Sequence, residues 1–264
     1  MATSAITAAV TAVAAPTETT TETTTETTTK PSTVKVLVVL SSHEHLGNTG
    51  KKTGWYLPEF AHPYYVLEPY ATFTIASPRG GPSPLDPSSV EAFKNDPISQ
   101  KFLAEKEELW TRTEMLFKFL GKANLFDALF YVGGHGPMFD LAIDATSQAL
   151  IKEFYEKGKI VSAVCHGPAA FVNVKLIDGE HLLQDQPVTG FSNYEEDVVG
   201  LSKAMPFLLE DALDKASRRK FEKAEEPWAP HVAVGRGGRL ITGQNPASAT
   251  PLGEELLKQL GIST

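Results

Sequence analysis

The chain has 264 residues, 42% of them hydrophobic, which is enough apolar material for one large core. Acidic residues outnumber basic ones by 32 to 24, and the resulting formal charge of -8 argues against a nucleic acid partner. After the N-terminal segment, no stretch is apolar for long enough to span a membrane, and the single cysteine excludes an internal disulfide. These features favour a reducing, cytoplasmic compartment.

The first 33 residues differ in composition from the rest of the chain. They include the four-residue repeat ETTTETTTETTTK at 18–30, which has no core-forming side chains. A basic region of the kind that opens a signal peptide is missing, and the first arginine is Arg79, which argues against a mitochondrial presequence. The composition therefore predicts a disordered tail over residues 1–33 and a single α/β domain over residues 34–264.

Short apolar runs recur along the rest of the chain and are typical of strands buried on both faces of a parallel sheet. They lie at 34–42, 72–78, 128–134, 160–165 and 240–246. Helical patterns separate them, notably at 145–159 and 248–261, each of which ends near a glycine. Strands that alternate with helices predict an α/β fold with a mostly parallel sheet and helices on both faces.

Two further segments add to this outline. Residues 80–124 predict a longer, mostly helical connection between two strands, and we interpret it as an insertion that shapes one wall of a site. The sequence VAVGRGGRL at 232–240 predicts a β-hairpin with the Gly-Gly pair at its turn.

Three of the predicted strands end in unusual sequences. These are GGHG at 133–136, CHG at 165–167 and GQNPAS at 243–248. Ligands bind at the carboxyl ends of the strands in sheets of this type. We therefore expect the three segments to converge on one site.

The only cysteine lies in AVCHG, where small residues precede and follow it by two positions, as in the nucleophile elbow of hydrolases. A helix that starts at the bend would lower the pKa of the Cys165 thiol and favour the nucleophilic thiolate. The N–H groups of Gly134 and His166 would then form an oxyanion hole. The alternatives are a buried, inert cysteine and a plain turn at GGHG.

A second candidate cluster is the H-x-H pair of His43 and His45. Two imidazoles are too few ligands for tight zinc binding, so we predict solvated loop residues and no metal site.

Several strings together carry a resemblance to a known family. AVCHGPA, GGHGPMFD and ITGQNPASA, with PLDPSS and GFSNYEE, resemble the superfamily of PfpI-type peptidases and class I glutamine amidotransferase-like proteins. Within it, the chain is similar to the glutathione-independent glyoxalases of the glyoxalase III type, which are related to heat-inducible holding chaperones. The similarity extends from Val34 to the C-terminal region, and the predicted fold class is a flavodoxin-like three-layer α/β sandwich.

The resemblance implies roles for particular residues. It places the nucleophile on Cys165, the adjacent histidine on His166 and the acidic partner of that histidine on Glu196, with Glu195 as a neighbouring candidate. It also places a protonated carboxyl group, Glu59, beside the thiol on the first helix. From the residues alone, Glu59 would be an exposed helix N-terminal acid and Glu196 a solvated loop acid.

The resemblance further implies conversion of methylglyoxal, or glyoxal, by a D-lactate dehydratase activity that needs no glutathione, metal or cofactor. In this scheme Cys165 forms a hemithioacetal, Glu59 or His166 moves a proton from C1 toward C2, and water hydrolyses the thioester. Two alternatives use the same fold: a stress-induced holdase with Cys165 as redox sensor, and a cysteine peptidase or amidase. The sequence does not fix the oligomeric state, and a homodimer is compatible with it.

Overall fold

The structure is a computed structural model, and it describes residues 33–263. The predicted disordered tail falls almost entirely outside this range, so it stays a prediction. Within the range, no helix is both long enough and apolar enough to cross a bilayer.

One sheet of seven strands forms the centre of residues 33–263. The strands are β1 (Val34–Val39), β2 (Ala71–Ser77), β3 (Glu114–Met115), β4 (Ala128–Tyr131), β5 (Ile160–Val164), β6 (Val232–Gly235) and β7 (Leu240–Gly243). Their order across the sheet is β3-β2-β1-β4-β5-β7-β6. All neighbours run parallel except β6 and β7, which are antiparallel. All five strands predicted as apolar runs are confirmed.

Helices cover the sheet. They are α1 (Leu57–Leu67), α2 (Pro87–Ala92), α3 (Pro97–Glu105), α4 (Glu108–Thr111), α5 (Ala145–Glu156), α6 (Asn193–Val198), α7 (Leu209–Ala216) and α8 (Ala249–Gln259). Helix α1 packs against α8, while α5 packs on β4 and β5. The crossovers through α1 and α5 run in opposite directions along the sheet, so right-handed connections place these helices on opposite faces. The flavodoxin-like three-layer prediction is confirmed.

The central strands are apolar because both of their faces are covered. Every residue from Val36 to Leu40 is fully buried. Such strands show no alternation of polar and apolar residues, which is why the sequence reads as continuous apolar runs. The edges differ: β3 has only two residues, both exposed, and no apolar pattern predicted it.

The segment 80–124 is less helical than predicted. It contains three short helices, α2, α3 and α4, together with β3 and 3₁₀ helices at Leu116–Phe119 and Ala123–Leu125. An aromatic cluster holds the segment on α1: the rings of Trp55 and Trp110 lie 5.3 Å apart, and those of Phe60 and Phe102 lie 4.9 Å apart. The segment therefore fixes the N-terminal end of α1, which carries Glu59.

The predicted hairpin at 232–240 is confirmed as the antiparallel pair β6 and β7. Three consecutive residues of its turn have positive φ: Arg236 at 52°, Gly237 at 63° and Gly238 at 91°, and the two glycines adopt this conformation without strain. The hairpin completes the sheet beyond β5. Together with the reversal of strand order between β1 and β4, this leaves a crevice at the carboxyl ends of the central strands.

Candidate active site

Cys165 lies immediately after β5, in a backbone conformation that non-glycine residues seldom adopt. Its φ is 58°, in the left-handed region. Strand β7 and the loop before α6 hold this bend, because the N–H of Cys165 donates to the carbonyl of Gly243 at 2.9 Å and its carbonyl accepts from the N–H of Phe191 at 2.9 Å. A strained residue fixed from both sides is typical of a functional site.

The environment of the Cys165 thiol differs from the predicted one. The chain after the bend forms a five-residue 3₁₀ helix, Gly167–Phe171, and no α-helix, so the helix dipole at the sulfur is small. The residue is only 4% exposed. Burial raises the pKa of the Cys165 thiol well above its ordinary value, and the neighbouring Glu59 raises it further. The predicted lowering of the thiol pKa is wrong, because burial outweighs the short helix.

Glu59 occupies the first turn of α1 and is fully buried. Neither of its carboxyl oxygens makes a hydrogen bond of ordinary geometry with any of residues 33–263, although the Cys165 thiol and the N–H of Gly134 are near enough to affect its ionisation. Burial raises the pKa of Glu59 well above its usual range, which favours the protonated form at neutral pH. The structure thus excludes the exposed-acid interpretation.

The glycine pair after β4 brings Glu59 and the thiol together. A Cβ atom on Gly133 would lie 2.3 Å from Oε2 of Glu59 and 2.8 Å from Cβ of Cys165. Gly134 has a φ of 86°, and its N–H acts on the ionisation of both Glu59 and Cys165. Its predicted use as an oxyanion donor, together with the N–H of His166, stays a prediction.

On the other side of the thiol, His166 links Cys165 to Glu196. Nδ1 of His166 lies 3.3 Å from Sγ of Cys165, and Nε2 lies 2.6 Å from Oε2 of Glu196. Burial opposes ionisation of Glu196, but the nearby His166 and His135 outweigh it, and the pKa of Glu196 falls far below its usual range. This side of the site therefore contains an ionised carboxylate, in contrast to Glu59.

The charge of Glu196 determines the tautomer of His166. Burial lowers the pKa of His166, so its ring is neutral at pH 7 and carries one N–H. A carboxylate only accepts hydrogen bonds, so this N–H must be at Nε2, which faces Glu196. Nδ1 is then left with a lone pair directed at the thiol, and it can accept the thiol proton.

Glu195, the neighbouring candidate, has a different task. Its Oε2 accepts from the N–H of Ser192 at 2.9 Å in a capping box at the start of α6. Its Oε1 accepts from the side-chain amides of Gln244 at 3.1 Å and Asn245 at 2.8 Å. Glu195 thus attaches the predicted GQNPAS segment to α6, and Glu196 is the residue that reaches His166.

His135 is a site residue that the sequence reasoning missed. Its Nε2 lies 2.9 Å from Oε1 of Glu196, and its ring centroid lies 4.2 Å from that of His166. Each oxygen of Glu196 therefore faces one histidine. The signal was present in GGHG, because β4 and β5 are adjacent and their ends must meet, but only the glycines of that motif were interpreted.

His135, His166 and Glu196 are also a set that could hold a metal ion, since their ligand atoms all lie within 4.8 Å of one another. Three protein ligands are the number that a catalytic zinc site uses. A metal ion there would have to displace the protons that now connect the histidines to Glu196. Within residues 33–263, neither His43 nor His45 belongs to such a set; the ring of His43 stacks on Phe139 at 4.6 Å.

A cavity of about 440 Å³ opens onto these groups. Glu59, Cys165 and His166 are among its buried lining residues, whereas Val199 and Trp228 are among the exposed ones at its mouth. The remaining lining residues are Leu46, Lys51, Lys52, Tyr56, Asp86, Ser88, Gly134, His135, Phe191, Leu201 and Pro246. The sequence reasoning did not identify the aromatic members, Tyr56, Phe191 and Trp228.

Comparison with known proteins places this geometry in a family. Residues 118–259 match the model of the DJ-1/PfpI family. Glyoxalase 3 of Candida albicans is 32% identical, in a match that covers 85% of this chain and 97% of that protein. Glutathione-independent glyoxalase HSP31 of Saccharomyces cerevisiae is 30% identical over 81% of this chain and 93% of that protein.

A solved structure is similar over the same range. Glyoxalase III from Candida albicans superimposes with a TM-score of 0.76 and 30% sequence identity, covering 86% of this chain and 97% of that one. The family model matches more than half of the chain, and the relatives match over nearly their whole length. The chain therefore belongs to the DJ-1/PfpI family.

Proposed function

We propose that this protein is a glutathione-independent glyoxalase that converts methylglyoxal, or a related 2-oxoaldehyde, to a 2-hydroxy acid. The observation that carries the proposal is the placement of one thiol between a neutral imidazole and a protonated carboxyl group. The relatives whose names state this activity match most of the chain. They do not favour the holdase or the peptidase alternative.

The first step forms a bond between sulfur and C1 of the aldehyde. His166 Nδ1 takes the thiol proton as the sulfur attacks. Because the pKa of Cys165 is raised, the thiol keeps its proton until substrate is present. The aldehyde oxygen gains negative charge and receives a proton from Glu59, giving a hemithioacetal. N–H donors at Gly134 and His166 stabilise the charge during this step.

The second step moves hydrogen from C1 to C2. Glu59, now a carboxylate, removes the C1 proton while protonated His166 donates to the C2 oxygen, and an enediol forms. Glu59 then protonates C2, and His166 removes the proton from the C1 oxygen. C1 is oxidised to a thioester and C2 is reduced to an alcohol, so no external oxidant or reductant is consumed.

Water completes the reaction by attacking the thioester. Glu59 takes a proton from the attacking water and protonated His166 gives its proton to the departing sulfur, which releases the hydroxy acid and restores the Cys165 thiol, neutral His166 and protonated Glu59. Because a fixed carboxyl group protonates C2 from one face, a single enantiomer is expected, and the resemblance implies D-lactate. We further propose one α/β domain over residues 34–264, a cytoplasmic location and a homodimer.

The decisive experiment measures D-lactate from methylglyoxal without glutathione and with a metal chelator present. A D-lactate-specific dehydrogenase reports the product and its configuration. Cys165→Ala is expected to abolish product formation while keeping the melting temperature near that of the wild type, because the side chain lost is small. D-lactate formed by this variant near the wild-type rate would contradict a covalent mechanism, and a wild-type protein that forms none would contradict the proposed function.

A further inference from the structure

The cavity is much larger than methylglyoxal, the substrate that the proposed function assigns to it. Its volume of about 440 Å³ is in the range of pockets that enclose drug-sized ligands. Methylglyoxal is a three-carbon molecule, and with its aldehyde at Cys165 it would leave most of this volume to water. The space between Cys165 and the mouth is therefore available to a larger group on C2.

One wall of that space is aromatic from the thiol to the surface. The ring of Phe191 lies 4.6 Å from that of His166, and the ring of Trp228 lies 5.7 Å from that of Phe191 at an angle of 63°. Aromatic rings attract one another at such separations in tilted and edge-to-face arrangements. An additional ring in the cavity would extend this series.

Trp228 is held in place although it is 41% exposed. Its φ is 64°, a conformation that non-glycine residues rarely adopt. The carbonyl of the next residue, Ala229, accepts from the side chain of Asn245 at 3.0 Å, and the same amide group donates to Glu195 at 2.8 Å. The position of Trp228 is thus connected to α6, the helix that carries Glu196.

The rest of the lining includes the apolar side chains of Leu46, Val199 and Leu201. Of the charged lining residues, Lys52 is paired with Glu44 at 2.7 Å. Asp86 accepts from the hydroxyl of Thr53 and from the N–H of Ser88. Lys51, also in the lining, is exposed and makes no ion pair within residues 33–263, so the preference for a flat, uncharged substituent rests on the aromatic wall.

We infer that the wall formed by Phe191 and Trp228 binds the C2 substituent, and that 2-oxoaldehydes with an aromatic substituent are preferred substrates. The inference rests on the proposed function, and phenylglyoxal is its simplest probe. Cys165 adds to C1, hydrogen moves from C1 to C2, and one water molecule releases mandelate. C1 is oxidised to the carboxylate and C2 is reduced to the alcohol, so the reaction balances with water alone.

The first test uses the wild-type protein and initial rates with both substrates. We expect KM for phenylglyoxal to be at least about tenfold below KM for methylglyoxal, which corresponds to about 1.4 kcal/mol of binding. Phenylglyoxal should also inhibit methylglyoxal turnover competitively. A KM for phenylglyoxal equal to or above that for methylglyoxal would overturn the inference.

The second test compares variants through the ratio of kcat/KM for phenylglyoxal to kcat/KM for methylglyoxal, which removes general effects on activity. Trp228→Ala should lower this ratio at least about tenfold, and Trp228→Phe should keep most of it. Phe117→Ala, which removes an exposed aromatic ring outside the cavity, is the matched control. An unchanged ratio in Trp228→Ala would refute the role of the wall.

The experiments distinguish failure of the proposed glyoxalase function from failure of the aromatic substrate preference. If the wild type turns over neither substrate, the proposed function is wrong. If it turns over methylglyoxal and the aromatic substrate gives no advantage, only the substrate preference is wrong. Should Trp228→Ala not fold, the wild-type KM comparison still decides the question.

Discussion

The two sides of the Cys165 thiol contain the same kind of group in opposite charge states. Glu59 and Glu196 are both buried glutamates, but Glu59 lacks an ordinary hydrogen-bond partner among residues 33–263, whereas Glu196 accepts from His135 and His166. Burial therefore raises the pKa of Glu59, while the histidines overcome burial and lower that of Glu196. Hydrogen-bond partners thus decide which buried carboxyl group is an acid and which is an anion.

This difference assigns separate tasks to the two sides. A protonated carboxyl group can donate to a developing oxyanion and afterwards act as a base, whereas an ionised one orients a histidine and stabilises its positive charge. Replacing Glu59 and replacing Glu196 by an uncharged glutamine, one at a time, should therefore change the reaction rate to different extents.

Among variants of these two carboxyl groups and their partners, the largest expected effect comes from Glu59→Gln. The amide keeps the shape of the protonated carboxyl group but cannot exchange protons with substrate, so kcat should fall by roughly 10²–10⁴. Steady-state kinetics with methylglyoxal measure the change, and Glu68→Gln at the other end of α1 serves as the control. Wild-type kcat in Glu59→Gln would show that Glu59 takes no part in proton transfer.

The same substitution should change how stability depends on pH. Glu59 has a raised pKa in the folded protein, so folding takes up a proton at any pH between the unfolded value of about 4.3 and the folded value. Its contribution is fully present below about pH 4.3 and is lost as pH rises, by up to about 1.4 kcal/mol per pH unit. Relative to the wild type, Glu59→Gln should therefore become more stable between pH 5 and pH 7.

Denaturant unfolding of both proteins at several pH values measures this difference. Glu196 and His166 contribute with the opposite sign, because their lowered pKa values give stability that is lost as pH falls. Both groups remain in Glu59→Gln, so the difference between the two proteins isolates Glu59. Parallel stability curves would mean that Glu59 is ionised in the folded protein.

Glu196→Gln should have a smaller effect on rate than Glu59→Gln, a loss of about 10–10²-fold, because Glu196 acts through His166 and does not reach the substrate. The amide offers one acceptor oxygen to two histidines, so the Nε2–H tautomer of His166 loses its fixed partner. Nitrogen-15 NMR of the histidines should show a mixture of tautomers in the variant and one tautomer in the wild type. A rate loss without a change in tautomer would argue against this role.

Part of this site could be predicted from the sequence. The strands were visible because strands covered on both faces are continuously apolar, and the strained turn was visible from the small residues around Cys165. By contrast, β3 is two exposed residues that pair only because the edge of β2 is available, and no local pattern encodes such a pairing.

The protonation states of the site residues were harder to predict from the sequence than the order of the strands. Cys165 was expected to be a thiolate because a helix was expected to follow it, whereas the protein forms a short 3₁₀ helix and buries the sulfur. The role of His135 depends on how closely the ends of β4 and β5 meet, and the roles of Glu59 and Glu196 were supplied by resemblance to a family. Burial and side-chain partners across the chain set these properties, and neither is visible in a local sequence window.

The smallest expected effect tests the histidine that the sequence reasoning missed. His135→Gln replaces the imidazole by an amide that can still donate to Glu196, so kcat/KM at pH 8 should fall by only about 3–10-fold, no more than the complete loss of one hydrogen bond of ordinary strength would cause. Electrostatic repulsion by His135 lowers the pKa of His166, and the uncharged amide of the variant removes that repulsion. The acid limb of the kcat/KM profile, which reports loss of the neutral His166 base, should therefore move to higher pH in His135→Gln. A profile that keeps its wild-type acid limb while the rate falls would show that His135 only packs against His166. The protonation of His166 would then depend on Glu196 and not on His135.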